Sequence, residues 1–227
     1  MIVYLASPGN QMHAAALEEM PVLLSFALRS RWVEDYQQSF GRILIDSGAF
    51  TELNSGKKVD VGEYREWSER WRERADAIAG VDDIRGDWRR SLENYEAVPW
   101  GFPTFHDSDP FGLLDDLVAI ATERGQWIGI GLVPPREGKE RFVRETCDRI
   151  PDGIHVHGWA LRRYTHIPRL DSVDSTNWMR DSWKVLNRPE CAHLTPAEAV
   201  EIVVKRYKRW KRVVVENDAG LFGKNEE

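Results

Sequence analysis

The chain has 227 residues, 42% hydrophobic and 30% charged, a balance that fits one globular domain with a sizeable core better than two. Its formal net charge of −6 excludes a protein that coats nucleic acid non-specifically, while leaving room for a local basic patch. Two distant cysteines, Cys147 and Cys191, give no disulfide framework. The opening MIVYLASPGN lacks a basic n-region and a long apolar core, so no signal peptide is expected, and no apolar run reaches spanning length; the expected setting is cytoplasmic with no membrane contact.

Ile2 to Ala6 reads as a first strand, closed by the turn cluster Ser7-Pro8-Gly9-Asn10 and succeeded by a helix over Gln11 to Glu19. Val22 to Phe26 is a second strand, Trp32 to Phe40 a helix, and Ile43 to Asp46 a third strand buried on both faces and stopped by Ser47-Gly48. Val61, Tyr64, Trp67 and Trp71 mark one helix face behind a capping pair, Asp60 with Glu63. Ala75 to Val81 is a fourth strand ending in Asp82-Asp83, Trp88 to Val98 a helix, and Gly101 to Phe105 a fifth strand ending in His106-Asp107. Asp109-Pro110 reads as an N-cap with proline at the first helical position, and Phe111, Leu114, Val118 and Ala121 form the stripe of that helix.

Trp127 to Val133 is a sixth strand whose glycines imply close approach to the backbone. Gly138 to Ile150 is helical. Ile154 to Gly158 is a seventh strand, and a helical turn through Tyr164 leads to an eighth, Leu170 to Asp174. Thr195-Pro196-Ala197-Glu198 is a capping box opening a long helix with Val200, Val203, Tyr207 and Trp210 on its stripe. Residues 1–215 are expected as one domain and 216–227 as a frayed tail. Eight apolar strands separated by helices, with no hairpin signal, imply parallel strands with right-handed crossovers. They close most naturally as a (β/α)8 TIM-type barrel, with an open doubly wound sheet as the alternative.

In such folds the loops after the strand carboxyl ends share one face. Asp46, Asp82, Asp83, His106, His157 and Asp174 are expected there. The bland reading of an aspartate after a strand is a turn-former or N-cap, and Asp83 and Asp107 suit it. His155 and His157 are read as one facing the core and the other the helices. Asp171 and Asp174, three apart, face opposite ways, so only one reaches the mouth. Asp46 and Asp174 each end an apolar strand. Two carboxylates around one pocket suit chemistry at an anomeric carbon, where one attacks or stabilises the centre and the other handles the leaving group's proton.

Cys191-Ala192-His193 offers two metal ligands without a third or fourth at zinc spacing, so no metal is expected. Gly129-Ile130-Gly131 lacks the rest of a dinucleotide fingerprint, and no Walker A, Gly-x-Ser-x-Gly or His-Glu-x-x-His pattern occurs, so no cofactor is expected.

Ile45-Asp46-Ser47-Gly48-Ala49-Phe50 resembles the Asp-Ser-Gly-Gly-Phe signature of tRNA-guanine transglycosylases, and Val173-Asp174-Ser175-Thr176 resembles that family's second carboxylate segment, Phe-Asp-Cys-Val. The likeness runs from about Ile2 to Trp178 and is strongest to short, phage-type members that place 7-deazaguanines into DNA. It implies a compact barrel without the family's zinc subdomain. It further implies Asp174 as the nucleophile at ribose C1′ and Asp46 as general acid/base. Asp82 would read the guanine-like edge, His106 would stand where the family has a base-binding glutamine, and Gly129 and Gly131 would lie on the strand whose backbone meets the base. Ser47 and Phe50 would shape the pocket floor and a stacking wall, with His157 also placed in the substrate site.

The implied partners are nucleic acid, DNA ahead of tRNA, and a 7-deazaguanine base, with a homodimer as the candidate assembly. Phosphate contacts are expected from Arg162, Arg163, Lys205, Arg206, Lys208, Arg209, Lys211 and Arg212, most of which also read as a solvated helix face.

Overall fold

The computed structural model describes the chain except residues 30, 57, 85–86, 135–137 and 222–227, and gives only the backbone at positions 31, 33, 34, 53 and 209–221. Its strands are β1 (Ile2–Ala6), β2 (Pro21–Ser25), β3 (Arg42–Asp46), β4 (Ala77–Ile78), β5 (Thr104–His106), β6 (Ile128–Gly131), β7 (Val156–Gly158) and β8 (Ser172–Ser175). Helices alternate with them: α1 (Gln11–Ala16), α2 (Arg31–Tyr36), α3 (Ala49–Ser55), α4 (Val61–Glu69), α5 (Trp88–Ala97), α6 (Leu113–Arg124), α7 (Glu140–Arg149), α8 (Asn177–Leu186) and α9 (Pro196–Leu221). Between β7 and β8 only a short 3-10 turn, Arg162–Tyr164, intervenes.

Every strand pair is parallel, in the order β4-β3-β2-β1-β8-β7-β6-β5. The eight strands curl into an open, TIM-like half-barrel; among the described residues no ladder joins β4 to β5, in place of the closed ring expected. One isolated parallel bridge, Ala79 with Phe102, spans the gap. The Phe102 N–H donates to the Ile78 carbonyl and the Gly80 N–H to the Phe102 carbonyl, both at 2.8 Å. The ladder stops there for a chemical reason. The Thr104 N–H, the next that would face β4, donates to the Tyr95 hydroxyl at 3.0 Å instead.

Strand alternation sorts the core. Tyr4, Ala6, Leu23, Leu44, Ala79 and Phe102 pack inside the curl. Val22, Leu24, Ile43, Ile45 and Ile78 pack outward against helices on one flank, and Phe105, Ile128, Ile130, Val156 and Val173 do so on the other. Each such side chain, removed from water, contributes about 1.5–3 kcal/mol.

Several element boundaries differ from the sequence reading. β4 is two residues long, where Ala75 to Val81 was expected. Asp109 does not cap α6, whose N-cap is Gly112; its carboxylate accepts the His106 backbone N–H at 2.8 Å. Helices α3 and α8 carry no clear signal in the sequence. The last helix runs to Leu221, beyond the expected end of order at 215, and residues 222–227 of the expected tail lie outside the described residues. Both capping pairs form: Glu63 N–H donates to Asp60 at 2.9 Å, and Thr195 and Glu198 exchange bonds reciprocally at 2.7 and 3.3 Å. Among the described residues no helix is long and apolar enough to cross a membrane.

Candidate active site

A cavity of about 340 Å³ opens at the carboxyl ends of the strands. Its walls include Asp46 from the end of β3, Asp174 from β8, Asp82 beyond β4, His106 from β5 and Gly131 from β6. The size is within the range of small-ligand sites, about 300–1,000 Å³.

Asp46 stands at the turn from strand to helix. Gly48 takes φ 85°, and a Cβ there would come within 2.4 Å of Ala27 Cβ, so only glycine permits this tight exit. Burial pushes the Asp46 carboxyl up from 3.8 to about 6. The Gly48 N–H and the Ser25 hydroxyl oppose that rise, and the negative charges of Asp82 and Asp174 add to it. Ser25 Oγ approaches without reaching hydrogen-bond geometry. No cation faces Asp46 in an ion pair among the described residues.

The opposite wall is built differently. His106 Nε2 lies 2.9 Å from Asp82 Oδ2, and His106 Nδ1 lies 3.7 Å from Asp109 Oδ2. Burial alone would depress the His106 imidazole, but hydrogen bonding with Asp109 and Asp82 and their charges outweigh it and push it up to about 10. It is therefore an imidazolium at neutral pH, clamped between two carboxylates. Its Nε2–H is spent on Asp82, so His106 orients the acid beside the pocket. The ring comes close to β6 because residue 131 is glycine; a Cβ there would be 2.4 Å from His106 Cδ2.

Asp174 is buried, and its Oδ1 accepts the Ala160 N–H at 2.6 Å. Ala160 adopts φ 54°, an uncommon left-handed conformation for a side-chain-bearing residue, which turns the chain after β7 and aims its N–H. Asp171 points away, accepting from Val156 N–H at 2.8 Å and pairing with Arg169 at 3.0 Å.

Other anticipated residues fall around this centre. Phe50 is 44% exposed and lines the cavity. Ser47 is buried behind it, its hydroxyl without a hydrogen-bond partner among the described residues, and does not line the cavity. Gly129 lies one layer deeper, where a Cβ would meet Trp159 Nε1 at 2.5 Å and Thr104 Oγ1 at 2.7 Å. His157 is also below the cavity, fully buried. It faces inward together with His155, both rings meeting Ser172 Oγ, which corrects the expectation of opposite faces. Positions two apart on a strand share a face. Asp83 stays outside the cavity, with Arg90 3.5 Å away. Sequence reasoning missed Trp159, which lines the cavity and stacks on Phe102 at 5.8 Å, and Asp109, the second partner of His106. The two-residue step His155, His157, Trp159 was the available signal.

The basic residues divide. Arg162 donates to the Tyr207 hydroxyl at 2.8 Å and joins Lys184, Arg188 and Arg206 around a groove of about 470 Å³ beside α8 and α9, with Asp181 as its acid. Lys205 and Lys208 lie on another flank, against α1: Lys205 meets Glu201 at 3.5 Å and Lys208 the Glu18 carbonyl at 3.4 Å. Arg163 is exposed. The side chains of Arg209, Lys211 and Arg212 lie outside the described residues. No group of three or more His, Cys, Asp or Glu is arranged to hold a metal ion among the described residues.

Comparison with known proteins gives no match: no family model, no curated protein and no solved structure is similar enough to report.

Proposed function

We propose that the chain is a transglycosylase that exchanges guanine for a 7-deazaguanine base in nucleic acid, DNA ahead of tRNA, on a (β/α)8 barrel completed at the Ala79–Phe102 bridge. The carrying observation is that Asp46 and Asp174, 128 positions apart in the numbering and on strands separated by β1 and β2, line one cavity of nucleobase scale. The likeness of residues 45–50 and 173–176 to tRNA-guanine transglycosylases belongs to the same proposal.

In this reading the Asp174 carboxylate attacks ribose C1′. A C1′–O bond forms, the C1′–N9 bond breaks, and its electron pair leaves with guanine, which takes a proton from Asp46. Asp46, now a carboxylate, removes the N9 proton of the incoming base, whose nitrogen attacks C1′ and releases Asp174. A carboxyl held at about 6 is both acid and base near neutrality, which suits this double duty. The Asp82 carboxylate, fixed by His106, accepts from ring N–H and amino donors of a guanine-like edge. A base reaches such a cavity only from a single strand or extruded from a duplex. The groove of Arg162, Lys184, Arg188 and Arg206 offers its flanking phosphates a positive surface on a chain of net charge −6.

The test is incubation with labelled guanine and, separately, DNA and tRNA, with recovery of each polymer. Label in DNA is the expected result; label in tRNA alone would change the partner. Free base with abasic sites would make the protein an N-glycosidic hydrolase. Label in neither polymer, with no uptake of a 7-deazaguanine, would end the exchange reading. In a binding titration with DNA at several salt concentrations, Arg188→Ala with Arg206→Ala should flatten the salt dependence by about one phosphate contact per residue.

A further inference from the structure

Beneath the cavity a line of polar groups runs through the interior to Asp174. His155 Nε2 lies 2.7 Å from Ser172 Oγ, and the same oxygen lies 2.9 Å from His157 Nδ1. His157 Nε2 then stands 3.5 Å from Asp174 Oδ1. Ser172 and the His157 ring are both 0% exposed, and His157 Nε2 makes no hydrogen bond among the described residues; Asp174 Oδ1, 3.5 Å away, is the acceptor it faces.

The groups around this ring leave Asp174 as its counterpart. Tyr4, Phe102 and Trp159 pack on it at 6.1, 6.4 and 4.5 Å between centroids. The Tyr4 hydroxyl is committed to Asp76 at 2.7 Å and the Trp159 N–H to Thr104 at 3.0 Å. His155 is stacked on Trp127 at 3.7 Å, and its imidazole is pushed down to about 4 by burial, against the pull of Asp171 and with help from His157, Arg42 and Arg169. His155 is thus neutral at neutral pH.

Proton counting then restricts the arrangement. Ser172 has one hydrogen to give. If it goes to His157 Nδ1, the His157 hydrogen sits on Nε2 and points at Asp174, while His155 Nε2–H donates into Ser172. If it goes to His155, Ser172 accepts from His157 Nδ1–H, and a neutral His157 then presents a lone pair to the carboxylate, which repels it. The first arrangement is favoured while Asp174 is charged.

We propose that His157 is a positioning residue for Asp174: Ser172 and His155 hold it as the Nε2–H tautomer, and that N–H, with the Ala160 N–H, occupies Oδ1 and leaves Oδ2 as the oxygen that reacts. The Ala160 N–H bonds Oδ1 and the His157 ring nitrogen faces that same oxygen, while none among the described residues addresses Oδ2. The assignment of Oδ2 rests on the exchange reading; the tautomer does not. Once Oδ2 forms its ester with C1′, the carboxylate charge is gone and the His157 contact weakens, returning as the nucleophile is released.

The experiment is 15N NMR of the histidine side chains in the full chain near neutral pH, with kinetics alongside. His157 should show a protonated Nε2 and a bare Nδ1. Ser172→Ala should mix the two neutral forms and lower kcat for exchange about tenfold or more, the worth of one charge-assisted hydrogen bond, at little change in KM. A wild-type spectrum with Nδ1 protonated, alone or together with Nε2, would overturn the proposal without touching the exchange reading. Absence of exchange with the expected tautomer would remove the assignment of Oδ2 and leave the positioning contact standing.

Discussion

The two walls of the cavity use the same residue type to opposite ends. Asp82 meets a histidine cation at 2.9 Å, with Asp109 behind it, and its charge is neutralised in place. Asp46 has a backbone N–H and a nearby hydroxyl, no cation among the described residues, and two carboxylates for neighbours. The first environment makes an oriented hydrogen-bond acceptor; the second makes a group that holds and releases a proton near neutrality. The strand ends account for the difference. β5 ends on His106 with Asp109 three residues on, whereas β3 ends on Asp46 with Ser-Gly and a helix.

The largest effect expected is on chemistry. Under the proposed exchange, Asp174→Asn should lower incorporation of labelled guanine by about 10³-fold or more, since it removes the proposed nucleophile while keeping its shape. A smaller loss would deny Asp174 the part of nucleophile. Next comes the ion-paired wall. His106→Gln leaves Asp82 and Asp109 buried without their cation and should cost about 3 kcal/mol in urea unfolding at pH 6. Its pH dependence has a definite sign, set by an imidazole raised from 6.5 to about 10: the stabilisation is complete below 6.5 and is lost as pH rises through about 10. The gap between wild type and variant should therefore narrow between pH 7 and 10, and a constant gap would deny the ion pair.

Gly131→Ala should cost about 2 kcal/mol, because a methyl 2.4 Å from the His106 ring forces the clamp apart; thermal unfolding reads it directly. The smallest effect is a gain. Asp46 is raised in the folded state from 3.8 to about 6, so wild type loses stability as pH rises across that window. Asp46→Asn should match wild type near pH 4 and exceed it by about 1–2 kcal/mol at pH 8, measured by denaturant midpoints. If the variant were less stable at pH 8, the contrast between the walls would be lost.

The sequence made the carboxylates visible because each comes after an apolar strand, and β1, β3 and β8 lie within two residues of where alternation puts them. It hid α8, whose buried face, Trp178, Ser182 and Val185, includes a serine while Trp183 is 68% exposed, so the apolar stripe is blurred. It hid α3, which starts from a left-handed glycine with no capping side chain. Asp109 was legible as a residue and misread in role: Asp-Pro is a familiar helix start, and only the fold brings its carboxylate back to His106. Glycines 129 and 131 signalled close approach correctly in kind, but what approaches is Trp159 and His106 from neighbouring strands.

Among the described residues one lone pairing, between Ala79 and Phe102, joins the two margins of the sheet, and the molecule is expected to yield there first. The amides of Gly80 and Phe102 should take up deuterium well before those of β1 to β3. Asp82 lies three positions past Ala79 on that margin, while Asp46 and Asp174 belong to strands registered over five and four residues with their neighbours. Under the proposed exchange, a bulkier base would be admitted by displacement of Asp82 alone, with Asp46 and Asp174 left undisturbed.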